Sequence, residues 1–167
     1  TADLALLPID SDLVLGVNIA QIQTSPMWKD FIAPRVMTDE VKAKLDEFKQ
    51  KCNIDPLAVV KSASVGLKDA AAGKEGVVVV HGPDKAKVMA CAETMKATPT
   101  SDAKVEVTQD GDVIVLRPKS AGPDTPSVAF TFTSADTAVI VVGPKATVAG
   151  VKAVAYETIQ LKDGSLP

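Results

Sequence analysis

His81 is the one histidine in the chain, so an imidazole general base can stand only there. A serine hydrolase or transferase would need a serine such as Ser64 nearby, together with a carboxylate that orients the ring. His81 closes an apolar strand just before Gly82-Pro83, and a lone histidine at a strand end is more often a packed or surface polar residue. Catalysis by His81 with a nearby serine or carboxylate is therefore the alternative hypothesis, and we assign no catalytic residue.

Ser101 and Lys104 form a second arrangement that could do chemistry, because they match the Ser-x-x-Lys pattern of acyl-transfer enzymes. That chemistry requires the serine at the start of a helix and the lysine one turn later. Here the two residues lead into a predicted strand, and the sequence lacks the companion motifs. Chance is the better explanation of this match.

Metal and cofactor sites lack their usual ligands. Two cysteines and one histidine, none of them in a Cys-x-x-Cys pair, are too few for a structural zinc site. Glycine-rich phosphate-binding patterns are absent from the sequence. Two carboxylate pairs lie in predicted turns and do not continue into a calcium-binding loop: Asp10 with Asp12, and Asp110 with Asp112. The sequence therefore predicts no metal and no cofactor.

Cys52 and Cys91 fall on the inward faces of two predicted helices. Cys52 continues a stripe formed by Val41, Leu45 and Phe48 at helical spacing. If the two helices lie side by side on a sheet, a disulfide can form when the Cα atoms come within about 7 Å in an oxidising compartment. The alternative is a pair of buried thiols that fill apolar space.

The overall composition limits the partners that the chain can have. The 167 residues carry a formal net charge of -3, which provides no basic surface for nucleic acid. No apolar run approaches the roughly 20 residues that cross a bilayer. We expect one domain over residues 1–156. Residues 157–167 are expected to form a tail, a last strand entering an Asp-Gly turn, or the start of a further segment.

Strands, glycine-proline corners and helices follow one another in an order that predicts the fold class. Two Val-rich strands run into Gly82-Pro83 and Gly143-Pro144, where proline fits the first helical turn. The predicted order is β-α-β-β-α, then a four-strand meander and a last helix. It predicts an α+β fold: an antiparallel sheet with helices mainly on one face, built from a ferredoxin-like split βαβ unit extended by a β-meander. The predicted helix caps include Ser25 and Thr38.

Three predicted strands are apolar at every position, namely residues 13–17, 77–80 and 139–142. Strands of this kind are usually covered on both faces, whereas helices on one side of a sheet would leave the second face bare. We therefore expect another layer, a partner protein or a second copy of the chain to cover that face. The residues predicted to form this interaction surface are Val77, Val79, Val139 and Val141.

Two short motifs in the first third of the chain carry a resemblance to a known group. Residues 7–18 read Leu-Pro-Ile-Asp-Ser-Asp followed by an apolar strand, and residues 25–28 read Ser-Pro-Met-Trp. With residues 53–56, Asn-Ile-Asp-Pro, they resemble the opening of uncharacterised bacterial exported proteins and lipoproteins. The resemblance implies a periplasmic, envelope or secreted location, tandem copies of the domain, and membrane attachment through a leader ahead of Thr1. It implies no catalytic residues.

These observations lead to three hypotheses about function. The first is a non-enzymatic envelope or secreted domain that contacts a protein or an apolar ligand through a sheet face or edge. The second is the hydrolase or transferase at His81, and the third is a self-associating structural subunit. A deep pocket that holds His81 against a carboxylate would favour the second hypothesis.

Overall fold

The computed structural model describes residues 2–97, 105–119 and 126–163, leaving out the side chains of residues 156–163. Within these residues a seven-stranded antiparallel sheet combines with helices, which confirms the predicted α+β class and its antiparallel sheet. A short 3-10 turn, Ala2–Ala5, precedes the first strand and is called the N-terminal turn below.

The elements follow the predicted order along the chain. The strands are β1 (Leu13–Asn18), β2 (Ser62–Lys68), β3 (Glu75–His81), β4 (Val105–Asp110), β5 (Val113–Pro118), β6 (Val128–Ser134) and β7 (Thr137–Val142). The helices are α1 (Ile19–Thr24), α2 (Ala33–Val36), α3 (Asp39–Cys52), α4 (Pro56–Val59), α5 (Lys85–Ala97) and α6 (Val148–Asp163). A π-helical turn, Trp28–Ile32, connects the segment after α1 to α2.

The strand order corrects the predicted split βαβ unit. Across the sheet the order is β1-β2-β3-β7-β6-β5-β4, so β1 pairs directly with β2 and runs antiparallel to it. A split βαβ unit would make these two strands parallel and place another strand between them. The helical segment of residues 19–59 instead leaves and re-enters at the same end of the sheet, where Asn18 lies opposite Ser62. The meander from β4 to β7 is as predicted.

One face of the sheet packs against α6 and against the residues next to the N-terminal turn. Val151 of α6 is fully buried against side chains of the sheet, together with Leu6 and Leu7. The four residues predicted as an interaction surface belong to this core, with only 0 to 4% of their surface exposed: Val77, Val79, Val139 and Val141. α6 covers these inward positions of β3 and β7, so the four valines are buried in the folded chain and do not form an exposed surface.

The opposite face of the sheet carries α5. Neighbouring residues on a strand point to opposite faces, and the last two residues of β4 contact different helices. Gln109 accepts a hydrogen bond from Lys96 of α5, whereas Asp110 pairs with Lys152 of α6. Helices therefore lie on both faces, so the layer that the prediction assigned to another molecule or domain comes partly from the chain itself.

The residues of β3 and β7 that face α5 are only half-buried. Val78, Val80 and Ile140 keep part of their surface accessible, while Ile114 of β5 on the same face is almost completely buried. At β3 and β7, this second side of the sheet is thus covered less completely than the side that packs against α6.

β1 does not fit the prediction of cover on both faces. Val14 and Leu15 point to opposite faces of the sheet, and each is 47% exposed. The prediction was wrong because β1 is an edge strand, and an apolar run in an edge strand has the same sequence pattern as one in a central strand. β3 and β7, which have a strand on either side, match the expectation much better.

The local signals for the ends of helices are mostly confirmed. Ser25 Oγ accepts from the Trp28 N–H at 3.2 Å, and Thr38 Oγ1 accepts from the Val41 N–H at 3.4 Å. α2 has Pro34 in its first turn, where proline costs no hydrogen bond.

The last helix is longer than predicted. α6 extends to Asp163, so residues 157–163 continue the helix instead of forming a last strand. Residues 164–167 lie outside the described residues. In the part of the chain that the structure describes, no helix is both long enough and apolar enough to cross a membrane.

Candidate functional site

Asp3 of the N-terminal turn meets Ser64 and His81 on the face of the sheet that α6 covers. Ser64 Oγ donates to Asp3 Oδ2 at 2.7 Å, and His81 Nε2 lies 2.9 Å from each Asp3 oxygen. His81 Nδ1 lies 3.1 Å from Oγ1 of Thr137, its register partner on β7. The side chains of Asp3 and His81 are 23% and 34% exposed. The fold thus brings His81, a serine and a carboxylate together.

The order of these contacts does not suit nucleophilic catalysis. In a serine hydrolase the histidine takes the serine proton, and the carboxylate holds the far side of the ring. Here Asp3 lies between Ser64 and His81. An ionised carboxylate only accepts hydrogen bonds, so His81 Nε2 carries a proton and Ser64 directs its own proton to the same carboxylate. In this arrangement His81 Nε2 faces the carboxylate of Asp3 and not the hydroxyl of Ser64.

The electrostatics of Asp3 lead to the same conclusion. Burial raises the pKa of Asp3, but the hydrogen bonds from Ser64 and His81 and the neighbouring imidazole outweigh it, and the net pKa lies below the ordinary value. A carboxylate with a lowered pKa is a weak general base. The cluster instead fastens the N-terminal turn to β2 and β3.

A cleft of about 840 Å³ opens at the other end of the same face, and we refer to it as the cleft. Val77 of β3 and Val141 of β7 form its floor. Residues 4–10 form one wall, and Ala153 and Val154 of α6 form the wall opposite. Two of the four valines predicted as an interaction surface therefore border an open space, although little of their surface is exposed. Asp3, Ser64 and His81 do not line the cleft.

Large apolar side chains remain exposed around the cleft. Ile9 is fully exposed, Leu4 is 58% exposed and Val14 is 47% exposed, and all three line the cleft. Apolar surface gathered around a concavity is typical of a binding site, whereas single exposed apolar residues are ordinary. The cleft could not be predicted from the sequence because its walls come from segments far apart in the chain. The apolar run of residues 4–7 was the available signal.

The charged residues that line the cleft balance one another: Asp10, Lys68, Glu75 and Lys145. Lys68 forms an ion pair with Asp10. The hydrogen bond from Lys68 holds the pKa of Asp10 below its usual value, and the same bond raises the pKa of Lys68. With two cations and two anions in the lining, the apolar surface rather than net charge determines which ligands fit.

A disulfide joins Cys52 to Cys91, with a Cα–Cα distance of 4.9 Å. Of the two alternatives that the sequence left open, the structure contains the bonded pair. The disulfide joins the last residue of α3 to Cys91, a buried residue of α5. It lies in neither wall of the cleft.

The carboxylate pairs noted in the sequence have local partners. Asp12 accepts from the Asp69 N–H at 2.7 Å, and Asp112 pairs with Lys85 at 2.6 Å. Among the described residues, no group of three or more His, Cys, Asp or Glu side chains is placed to hold a metal ion. Ser101 and Lys104 lie outside the described residues.

Comparisons with known proteins give one similar fold. No protein-family model matches the sequence, and no curated protein sequence matches it. A solved structure titled "Structure of crystal form III of TP0453" superposes with a TM-score of 0.54 over 94% of this chain, at 9% sequence identity. The match covers 51% of that chain, so this chain spans about half the length of that structure. At such low identity the similarity supports the fold alone.

Proposed function

We propose that this chain is a non-enzymatic binding domain of the bacterial cell envelope that takes the apolar part of a ligand into the cleft. The observation that carries the proposal is a cleft of about 840 Å³ with Leu4, Ile9 and Val14 exposed around it. Small-molecule sites typically measure roughly 300–1,000 Å³ and have mainly apolar walls. The balanced charges of the lining favour a ligand whose contact is made by hydrocarbon.

Two independent features support an envelope location. The disulfide between Cys52 and Cys91 is typical of proteins that mature in an oxidising compartment such as the periplasm. The opening motif of residues 7–18 resembles that of bacterial exported proteins and lipoproteins.

The competing function is a hydrolase or transferase at His81, which the meeting of Asp3, Ser64 and His81 favours. Against it stand the position of Asp3 between the other two residues and the lowered pKa of its carboxyl. Hydrolysis of p-nitrophenyl butyrate separates the two functions. We expect no turnover above the uncatalysed rate, whereas turnover that Ser64→Ala and His81→Ala both remove would support the enzyme.

Binding of the neutral apolar dye 1-N-phenylnaphthylamine tests the proposed function. The dye becomes fluorescent when it leaves water, and it suits a lining without net charge. Ala153 is an exposed position on α6 that lines the cleft, so Ala153→Trp places a large side chain there without disturbing the core. We expect the wild-type chain to bind the dye and Ala153→Trp to bind it at least about tenfold more weakly.

Ala43→Trp is the matched control, because Ala43 is an exposed alanine of α3 away from the cleft. It should bind the dye as the wild type does. The proposal fails if the wild-type chain does not bind the dye, or if Ala153→Trp and Ala43→Trp bind it equally well. Thermal unfolding of both variants verifies that each is folded.

A further inference from the structure

Val77 and Val141 form the floor of the cleft, yet almost none of their surface is accessible. Both valines are almost fully buried, whereas Leu4 on the wall of the cleft is more than half exposed. The two valines belong to one core cluster with Leu6 and Leu7, which come from the same wall. A ligand that enters the cleft as it stands therefore contacts the rim and hardly touches the floor.

Leu6 and Leu7 belong to a segment that lies on the sheet without a backbone ladder. We call residues 2–11 the strap. Among the described residues, the backbone hydrogen bonds of the strap stay within it. The first backbone bond to the sheet comes after the strap, from the Asp12 N–H to the Leu67 carbonyl at 2.9 Å. A segment that has few buried side chains and no backbone ladder opens at a lower free energy than the core of a domain.

Two polar contacts fasten the strap to the sheet, one near each of its ends. Asp3 binds Ser64 and His81, and Asp10 forms an ion pair with Lys68. The side chains of both contacts keep part of their surface exposed, and pairs that water can reach contribute less than buried pairs. The strap is therefore held by its two ends and by two leucines, and it is not part of the sheet itself.

Gly66 of β2 shows how closely the strap lies on the sheet. A Cβ added there would lie 2.8 Å from Ser11 Oγ and 3.1 Å from both Leu7 Cβ and Pro8 Cδ, and all three atoms belong to the strap. Gly16 of β1 faces the same side, because its register partner lies two residues before Gly66. A Cβ added at Gly16 would have nothing within 4 Å. A methyl group at Gly66 thus pushes against the strap from a position that does not line the cleft.

We infer that the strap is a displaceable cover of the cleft, and that a ligand reaches Val77 and Val141 only after the strap moves off the sheet. Leu6 and Leu7 then leave the core, and the apolar part of the ligand takes their place. Because hydrocarbon replaces hydrocarbon, the valines of the floor stay buried in both states. The closed strap lowers the apparent affinity of the cleft in proportion to the fraction of open molecules. This inference rests on the proposed function and adds how entry of the ligand is controlled.

Binding of 1-N-phenylnaphthylamine to Gly66→Ala tests the inference. We expect this variant to bind the dye about three- to tenfold more tightly than the wild type, because its methyl group favours the open strap. Asp3→Asn weakens one of the two polar contacts and should act in the same direction. Gly16→Ala is the matched control and should bind the dye as the wild type does. Equal or weaker binding by both Gly66→Ala and Asp3→Asn would show that the strap is a fixed wall, which overturns the inference.

Alkylation of a buried thiol measures the opening of the strap without any ligand. Val141→Cys places a thiol on the floor of the cleft, and Val139→Cys places one on the same face of β7 away from the cleft. The two native cysteines are joined in the disulfide, so each variant has one thiol. We expect iodoacetamide to modify Val141→Cys at least about tenfold faster, because the strap opens while the sheet stays folded. Equal rates in the two variants overturn the inference.

The two measurements distinguish failure of the inference from failure of the proposed function. Dye binding that is absent from every variant contradicts the proposed function, and the alkylation rates alone then support or overturn the opening of the strap. Dye binding that is present but no tighter in Gly66→Ala and Asp3→Asn keeps the proposed function and overturns the strap. Thermal unfolding verifies that each variant is folded.

Discussion

Asp3 fixes the N-terminal turn to the sheet through both oxygens of its carboxylate. Ser64 and His81 hold these oxygens, and Leu6 and Leu7 a few residues later enter the core. Because the next residues form a wall of the cleft, the position of Asp3 also determines where that wall stands. At the scale of single residues, the polar cluster is therefore a structural support of the candidate site.

We expect Asp3→Asn to lower the free energy of unfolding by about 1–2 kcal/mol. Hydrogen bonds to charged groups contribute about 1.5–3 kcal/mol each when buried, and the partial exposure of Asp3 reduces that contribution. Urea unfolding measures the change. Asp46→Asn, the same substitution on the exposed side of α3, is the control and should leave the stability almost unchanged. Equal losses in the two variants would contradict the role given to Asp3.

The pH dependence of that stability difference follows from the lowered pKa of Asp3. Its unfolded value is near 3.8 and its folded value is lower, so its contribution is complete above the unfolded pKa. As the pH falls through the folded pKa, the contribution is lost. The difference in free energy of unfolding between the wild type and Asp3→Asn should therefore disappear in acid. A gap that widens on acidification would show that the pKa is raised instead.

His81 could be singled out from the sequence, but the contacts of its side chain could not be predicted. Its position at the end of an apolar strand was clear from the residues around it. The partner Asp3 lies 78 residues earlier and reaches His81 only because the N-terminal turn docks on the sheet. The sequence therefore identified a residue type able to do chemistry, and the structure added its contacts with Asp3 and Thr137.

At the scale of elements, α3 depends on its disulfide. It contains no buried residue, and its apolar stripe is only half-buried against its surroundings. Cys52 lies in its last turn and joins it to Cys91 of α5. The stripe was predictable because helical periodicity is local, whereas the bonded partner required knowledge of how α3 and α5 lie together.

Reduction of the disulfide should lower the free energy of unfolding by about 3–4 kcal/mol, because the two cysteines close a loop of 39 residues. Hydrogen exchange should show faster exchange in α3, with β3 and β7 retaining their protection. The double variant Cys52→Ser and Cys91→Ser should match the reduced wild type and should not respond to dithiothreitol. A wild-type chain whose stability is the same with and without the reductant would contradict this account.

Local sequence patterns predicted the strands but not which strands pair with one another. The strands themselves, their hairpin at Asp110-Gly111 and the caps Ser25 and Thr38 followed from short-range signals. Which strand adjoins β1 depends on where the helical segment of residues 19–59 returns to the sheet. That return at the same end made β2 antiparallel to β1 and left β1 at an edge.

For the whole molecule, the sheet has two surfaces that its own helices leave open. One is the cleft between residues 4–10 and α6, and the other is the outer edge of β1. Val14 belongs to both, since it lies on β1 and lines the cleft. The sequence indicated that apolar surface would need cover, and in the fold the uncovered apolar surface lies at the cleft, which Val77 and Val141 line, and at the edge of β1.

The most direct test of the central claim is to observe an apolar ligand in the cleft by NMR. With methyl-labelled valine and leucine, 1-N-phenylnaphthylamine should show cross-relaxation with the methyl groups of Val14, Val77 and Val141. Leu15, on the other face of β1, should show none. Contacts limited to methyl groups outside the cleft, or no contacts at saturating dye, would contradict the account.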